Sequence, residues 1–372
     1  MAAVLVLNAG SSSLKYRLLG EDRDILGGLV ERIGEPGGPA DHGEALAVAL
    51  DAVADHRVAA VGHRIVHGGP ELTEPVVVDD AVVAAIEQVT PLAPLHNPPA
   101  LACLRAARAA FSDVGHVCVF DTGFHATLPA VAATYAIDPD VAKAHQIRRY
   151  GFHGISVRYV RDRAAELLGR RVGELNLIVA HLGNGASLTA IAGGSSVDTS
   201  MGLTPLPGLV MGTRSGDIDP SVVFTLARAG WALDDIENLL VRRSGLRGLS
   251  GDNDVRSVVE RAGSGDQAAA LALDVYCYRI RQYIGAYSAV LGRVDAIVFT
   301  AGVGQNSVEV RARALADLGR LGIELDPAAN AVAHGPALIS TGDSRVAVCV
   351  IPTNEERAIA EEAAALLRLP GW

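Results

Sequence analysis

Lysine is nearly absent from this chain: Lys15 and Lys143 are the only two in 372 residues. Arginine therefore carries almost all the positive charge, so an arginine needs local context before it marks a site. Basic residues form no block, and 32 Lys plus Arg stand against 42 Asp plus Glu, a formal net charge of −10. A polyanion is held by clustered Lys and Arg, so a nucleic-acid partner is excluded. No apolar run approaches the roughly 18 residues that cross a bilayer, so no membrane partner is expected. The four cysteines, Cys103, Cys118, Cys277 and Cys349, show no C-x-x-C spacing and no histidines at metal-ligand intervals. That argues against a zinc site or a disulfide scaffold, and the thiols are expected as small apolar core residues in a reducing compartment. Met1 to Leu7 is apolar, but no positively charged segment precedes it and it runs into Asn8-Ala9-Gly10-Ser11. It reads as a strand, not a signal peptide, and the expected location is the cytoplasm. Walker, G-x-G-x-x-G and G-x-S-x-G patterns are also missing, which removes P-loop, Rossmann dinucleotide and hydrolase-elbow readings.

What remains is a globular composition, 49% hydrophobic and 20% charged, with length for two domains and a substantial core in each. Short β-type runs alternate with Ala-rich helical stretches, the pattern of layered α/β domains with mixed sheets flanked by helices. Val4–Leu7, Leu14–Leu19, Val58–Val61 and Val117–Phe120 read as strands and Pro98–Ala110 as a helix. A second block opens near residue 175 with strands at Leu177–Ala180 and Ser187–Ile191. Helices are expected around Val222–Ala229, Ala268–Leu291 and Val308–Leu318, and strands at Ala296–Thr300 and Val346–Ile351. Asp234–Ser264, rich in glycine and charge, reads as a surface loop, and Glu355–Leu367 as a helix packing back on the first domain. The two blocks open alike, Leu7–Leu14 and His181–Leu188 each running from a strand end through small residues into a second strand. A duplicated domain explains this, and so does the ordinary preference of hairpin turns for such residues.

Four glycine-rich turns follow apolar strands: Asn8–Ser13, His181–Gly185, Met211–Gly216 and Gly302–Asn306, the last running into a helix near Ser307. Glycine lets successive backbone N–H groups close on an anion, although each turn alone is also an ordinary turn. Asp121 ends the apolar strand Val117–Phe120, where open α/β sheets place ligands or where an acid caps a turn. Arg64 and Arg214 sit in strand and glycine contexts, suited to grip a carboxylate or phosphate or to make a structural ion pair. His153 lies between glycines beside Phe152. Asn354-Glu355-Glu356 follows a strand, as a helix cap with acids in its first turn or as a source of a Mg²⁺ carboxylate.

Together these stretches resemble the acetokinase family, within the superfamily of sugar kinases, actin and heat-shock ATPases. The matching segments are Asn8–Lys15, His63–Gly69, Phe120-Asp121-Thr122, Tyr150–Gly154, His181–Gly185, Gly212–Pro220, Phe299–Asn306 and Pro352–Glu356, in family order over nearly the whole chain. Two departures stand out: Val157 lies where a second histidine is common, and Gln305 where glutamate is usual. The resemblance implies two duplicated actin-like (ribonuclease H-like) domains, residues 1–121 with 357–372 and residues 122–356, with an interdomain cleft. It implies reversible, Mg²⁺-dependent transfer of the ATP γ-phosphoryl group to acetate, giving acetyl phosphate and ADP, with Mn²⁺ able to replace Mg²⁺ and the chain a homodimer. Carried across, the catalytic groups are Asp121, His153 and Arg214. Acetate would meet Arg64 and an apolar pocket of Val66, Leu95, Phe152 and Pro205. The nucleotide would meet Lys15, His181, Leu182, Gly183, Asn184, Gly185, Asp254, Val255, Arg256, Gly302, Val303, Gly304, Gln305 and Asn306, with Asp252 competing with Asp254. Asn8 and Glu355 would place the metal, Glu356 being the alternative acid. A propionate or butyrate kinase of the same family is the nearest alternative, and an actin-like or chaperone ATPase is the alternative of another class.

Overall fold

The computed structural model describes residues 2–372. The chain divides into two compact units. Unit 1 takes the residues through Ala126, His153–Ser156 and Asn354–Trp372; unit 2 takes Thr127–Phe152 and Val157–Thr353.

Unit 1 is built on six strands, β1 (Ala3–Ala9), β2 (Ser13–Leu19), β3 (Asp24–Glu31), β4 (Val58–Ile65), β5 (Val76–Val77) and β6 (Gly115–Phe120), in the spatial order β3-β2-β1-β4-β6-β5. β1 reads as an unbroken apolar run because both of its faces are covered. Successive side chains alternate: Leu5 and Leu7 join Leu14, Leu18, Leu46 and Ala49 on one face. Val4 and Val6 meet Val117, Val119 and the C-terminal helix residues Ile359, Ala360 and Ala363 on the other. That helix, Glu355–Leu367, starts at Asn354, whose side chain accepts from the Arg357 amide at 3.1 Å.

Unit 2 repeats the plan with β7 (Asn176–Leu182), β8 (Ala186–Ala192), β9 (Ser195–Thr199), β10 (Ala296–Thr300), β11 (Ala337–Leu338) and β12 (Ala347–Val350). Its order is β11-β12-β10-β7-β8-β9. In both sheets three antiparallel strands come first, two further strands run parallel to the first, and a short antiparallel strand closes the edge. Identical order, direction and connectivity favour duplication over the chance likeness of two hairpins, and give a duplicated actin-like fold.

Three sequence expectations are corrected. Asp234–Ser264 is not a loop but carries helices Leu233–Arg242, Gly245–Ser250 and Val255–Gly263. Ile236 and Leu240, then Val255 and Val258, bury at helical spacing, and this outweighs the helix-weakening glycines. Gly302–Asn306 is not a turn but lies in helix Ala301–Asn306; Ser307 then caps the next helix, Val308–Leu315. Met211–Gly216 follows no strand directly, since β9 ends at Thr199. The four cysteines are buried free thiols, as composition suggested.

Candidate active site

In unit 1 the parallel strands β1, β4 and β6 bring Asn8, Arg64 and Asp121 to one edge of the sheet, the carboxyl ends where α/β folds gather functional groups. Arg64 donates through Nε to Asp121 Oδ2 at 3.1 Å and through Nη1 to Asn8 Oδ1 at 3.3 Å. Its Nη2 also reaches Asp121 Oδ2, at 2.5 Å. Burial opposes the guanidinium charge, but Asp121, Glu355 and Glu356 offset that and raise its pKa. The other oxygen of Asp121, Oδ1, is buried with no hydrogen-bond partner among the described residues. Lys15 lies opposite Asn8 on β2 and its ammonium pairs with Glu356 at 2.8 Å. Glu355, next to that pair, is only partly buried. Burial and then the Asp121 charge push its carboxyl up to about 7 against the pull of Arg64. Among the described residues no group of three His, Cys, Asp or Glu side chains is arranged to hold a metal.

The turn after β4 is braced by residues that sequence reading missed. Asn97 is fully buried; its Oδ1 accepts from the His67 amide at 3.2 Å and its Nδ2 donates to the His67 carbonyl at 3.0 Å. Between the neighbouring strands β4 and β6, His63 Nε2 lies 3.0 Å from His116 Nδ1, and His116 Nε2 lies 3.1 Å from the Phe111 carbonyl. A carbonyl only accepts, so His116 is protonated on Nε2 and His63 donates to its Nδ1. Burial lowers the pKa of both imidazoles. Val66 is buried beside this turn, whereas Leu95 is about half exposed (47%). His153 belongs to unit 1 and holds a left-handed backbone, φ +63°, a conformation that costs a non-glycine residue energy.

In unit 2 the nucleotide candidates other than Lys15 converge. The hairpin between β7 and β8 carries Gly183-Asn184-Gly185, and a Cβ added at Gly183 would lie 3.7 Å from the Ala301 Cβ. At Gly212 a Cβ would collide with Asn184 Oδ1 and come within 3.3 Å of the Asn253 carbonyl. A side chain at Gly212 would have to displace Asn184 Oδ1, whereas at Gly183 the spacing is ordinary van der Waals contact. His181–Gly185, Gly212–Arg214, the entry to Asp254–Arg256 and Ala301–Asn306 therefore lie side by side. Asp254 caps its helix through the Arg256 amide at 2.9 Å and pairs with the Arg256 guanidinium at 2.6 Å, while Asp252 Oδ1 accepts from the Asp254 amide at 2.9 Å. The amides of Ser244, Leu246 and Arg247 donate to the carbonyls of Thr213, Met211 and Gly212, so the helix absent from the sequence reading anchors the Arg214 loop. Arg214 donates to the Pro205 carbonyl at 2.9 Å. It is half-buried, burial lowers its pKa, and it forms no ion pair with an acid among the described residues. Phe152 is buried in the same unit.

A family model described as the acetokinase family matches residues 3–361. An acetate kinase of Clavibacter michiganensis subsp. michiganensis is 54% identical, covering 98% of this chain and 99% of that protein. The crystal structure of Porphyromonas gingivalis acetate kinase superposes with TM-score 0.94 at 40% identity, covering 99% of this chain and 100% of that one. A propionate kinase from Francisella tularensis subsp. tularensis gives TM-score 0.93 at 37% identity, with 98% and 100% covered. Matched nearly end to end, in sequence and in fold, the chain belongs to the acetokinase family.

Proposed function

We propose that the protein transfers the γ-phosphoryl group of ATP to acetate, reversibly and by direct in-line attack. ATP-dependent phosphotransfer to acetate follows from the family and its relatives; the residue roles rest on the geometry. An acetate oxygen bonds to the γ-phosphorus as the bond to the bridging oxygen breaks, and ADP departs with the electron pair. A carboxylic acid with a pKa of roughly 4 is ionised at neutral pH, so no base is needed. What must be overcome is repulsion between two anions, which fixed positive donors offset while holding the groups in line.

The observation that carries this reading is Arg214, a half-buried guanidinium with no acid of its own among the described residues. It is assigned to the carboxylate and the moving phosphoryl group, with His153 as a further donor. Arg64 is assigned to acetate, and Asp121 orients Arg64 instead of accepting a proton. Val66, Leu95, Phe152 and Pro205 are assigned to the methyl group. Lys15, His181–Gly185, Asp254–Arg256 and Gly302–Asn306 are assigned to the nucleotide.

The residues present fit Mg²⁺. Asp121 Oδ1 is buried and, among the described residues, unpartnered, and Glu355 is an acid whose charge burial and Asp121 disfavour until a cation is near. Hard oxygen donors suit Mg²⁺, which keeps several ligands as water and substrate phosphates, so Asn8 and Glu355 suffice on the protein side, and Mn²⁺ would accept the same donors. When bound, the ion neutralises phosphate charge. A homodimer and a cytoplasmic location are carried over from the acetokinase family.

Incubation with ATP, Mg²⁺, acetate and hydroxylamine tests the proposal: trapped acetyl hydroxamate is expected, and ATP hydrolysis without hydroxamate would refute it. Propionate as the preferred acid is the second reading, favoured by the likeness to the Francisella enzyme. One methylene is worth only about 1–3 kcal/mol in an apolar pocket, so comparing kcat/KM for acetate, propionate and butyrate decides it.

A further inference from the structure

Among the described residues Arg311 is one of the largest fully buried side chains, 1% exposed on helix Val308–Leu315. A buried guanidinium ordinarily has a carboxylate beside it. This one has four hydrogen bonds to neutral oxygens: Nε to Asn330 Oδ1 at 2.6 Å, Nη2 to the Asn330 carbonyl at 2.9 Å, and Nη1 to the carbonyls of Gly304 at 3.0 Å and Gln305 at 2.7 Å. Gly304 and Gln305 lie in the last turn of helix Ala301–Asn306, where carbonyls lack intrahelical partners and form the negative end of the helix dipole. Asn330 is itself buried and returns a bond from Nδ2 to the Val308 carbonyl at 3.1 Å. The start of the same segment is strained, with Ala301 at φ +62°, and its middle is pressed on the sheet, where a Cβ at Gly304 would lie 3.4 Å from the Ala180 carbonyl. A strained entry persists only when its surroundings fix it, and the Arg311 fork supplies that constraint at the exit.

We infer that Arg311 is a positioning residue for the nucleotide: through the Gly304 and Gln305 carbonyls it holds Gly302–Asn306 in the conformation that receives ATP. The inference rests on the assignment of that segment to the nucleotide. A methionine of similar length would remove the buried charge, and such replacements are often tolerated or stabilising, so stability alone is the wrong readout. Arg311→Met is expected to raise the KM for ATP and the calorimetric Kd for ADP at least about tenfold. The KM for acetate should stay within about twofold of its original value. Arg311→Lys, which keeps the charge but loses the planar fork, should fall between. A folded Arg311→Met with the original ADP affinity, or with both KM values raised alike, overturns the inference. Should Arg311→Met not fold, Asn330→Ala carries the same readouts with the cation in place. Failure of the unsubstituted protein to bind ADP would instead overturn the nucleotide assignment itself.

Discussion

Arg64 directs two of its nitrogens at a single oxygen of Asp121, leaving the second oxygen of that carboxylate buried and, among the described residues, unpartnered. The pair is lopsided: one carboxylate oxygen takes both guanidinium donors, and the other takes none among the described residues. Asp121→Asn keeps the shape and removes the charge, so the half-buried Arg64 loses its counter-ion. Urea unfolding should show a loss of about 3 kcal/mol, the range for breaking a buried pair. Steady-state kinetics should show kcat down about a hundredfold or more with the KM for ATP little changed. A stable variant with unaltered kcat would remove Asp121 from the reaction.

Arg214 should behave in the opposite way. With no acid partner to strand, Arg214→Ala should change the unfolding free energy by less than about 1 kcal/mol. Its kcat/KM for acetate should fall about a thousandfold, equivalent to about 4 kcal/mol of transition-state stabilisation. Kinetics beside thermal unfolding separate the two effects.

The two neighbouring acids divide by their partners. Glu356 is engaged by Lys15, so Glu356→Gln should cost about 1 kcal/mol of stability, modest because Lys15 is half exposed, and leave the Mg²⁺ requirement unchanged. Glu355→Gln should raise the Mg²⁺ concentration for half-maximal activity about tenfold. A metal titration giving the reverse order would move the ligand to Glu356.

Burial holds the His67 imidazole down to about 4, and its Nδ1 accepts from the Gly69 amide at 2.9 Å, as a neutral ring can. In the unfolded chain the same group titrates near about 6.5. Above that pH both states are neutral and the full stability is present; as pH falls towards 4 the unfolded chain takes up a proton that the folded one refuses. Between pH 7 and pH 4 the protein should therefore lose about 3 kcal/mol more than His67→Asn, which keeps an acceptor for Gly69 but does not titrate. Equal losses in urea titrations of the two proteins would show that His67 is protonated in the fold.

The strands were legible because β1, β6, β7 and β10 are buried on both faces and so appear as bare apolar runs. The Leu233–Gly263 helices were not, because their buried positions are few and glycines and charges crowd the intervals. Arg64 and Asp121 stood out singly, but their pairing spans 57 positions and only the parallel register of β4 and β6 reveals it. Asn97 and Arg311 gave no signal at all. Each looks like an ordinary helix residue until the fold places its polar atoms on the His67 turn and on the Gly304 and Gln305 carbonyls. The chaperone or filament ATPase alternative shares the fold and is set aside by the family match, not by the sheet.

Direct transfer between two anions, with no phosphoenzyme, is the claim on which the residue assignments converge. A single turnover with ATP made chiral at the γ-phosphorus, followed by stereochemical analysis of the acetyl phosphate, tests it most directly. Inversion at phosphorus is the predicted result; retention would mean two displacements through a phosphorylated side chain and would contradict the account.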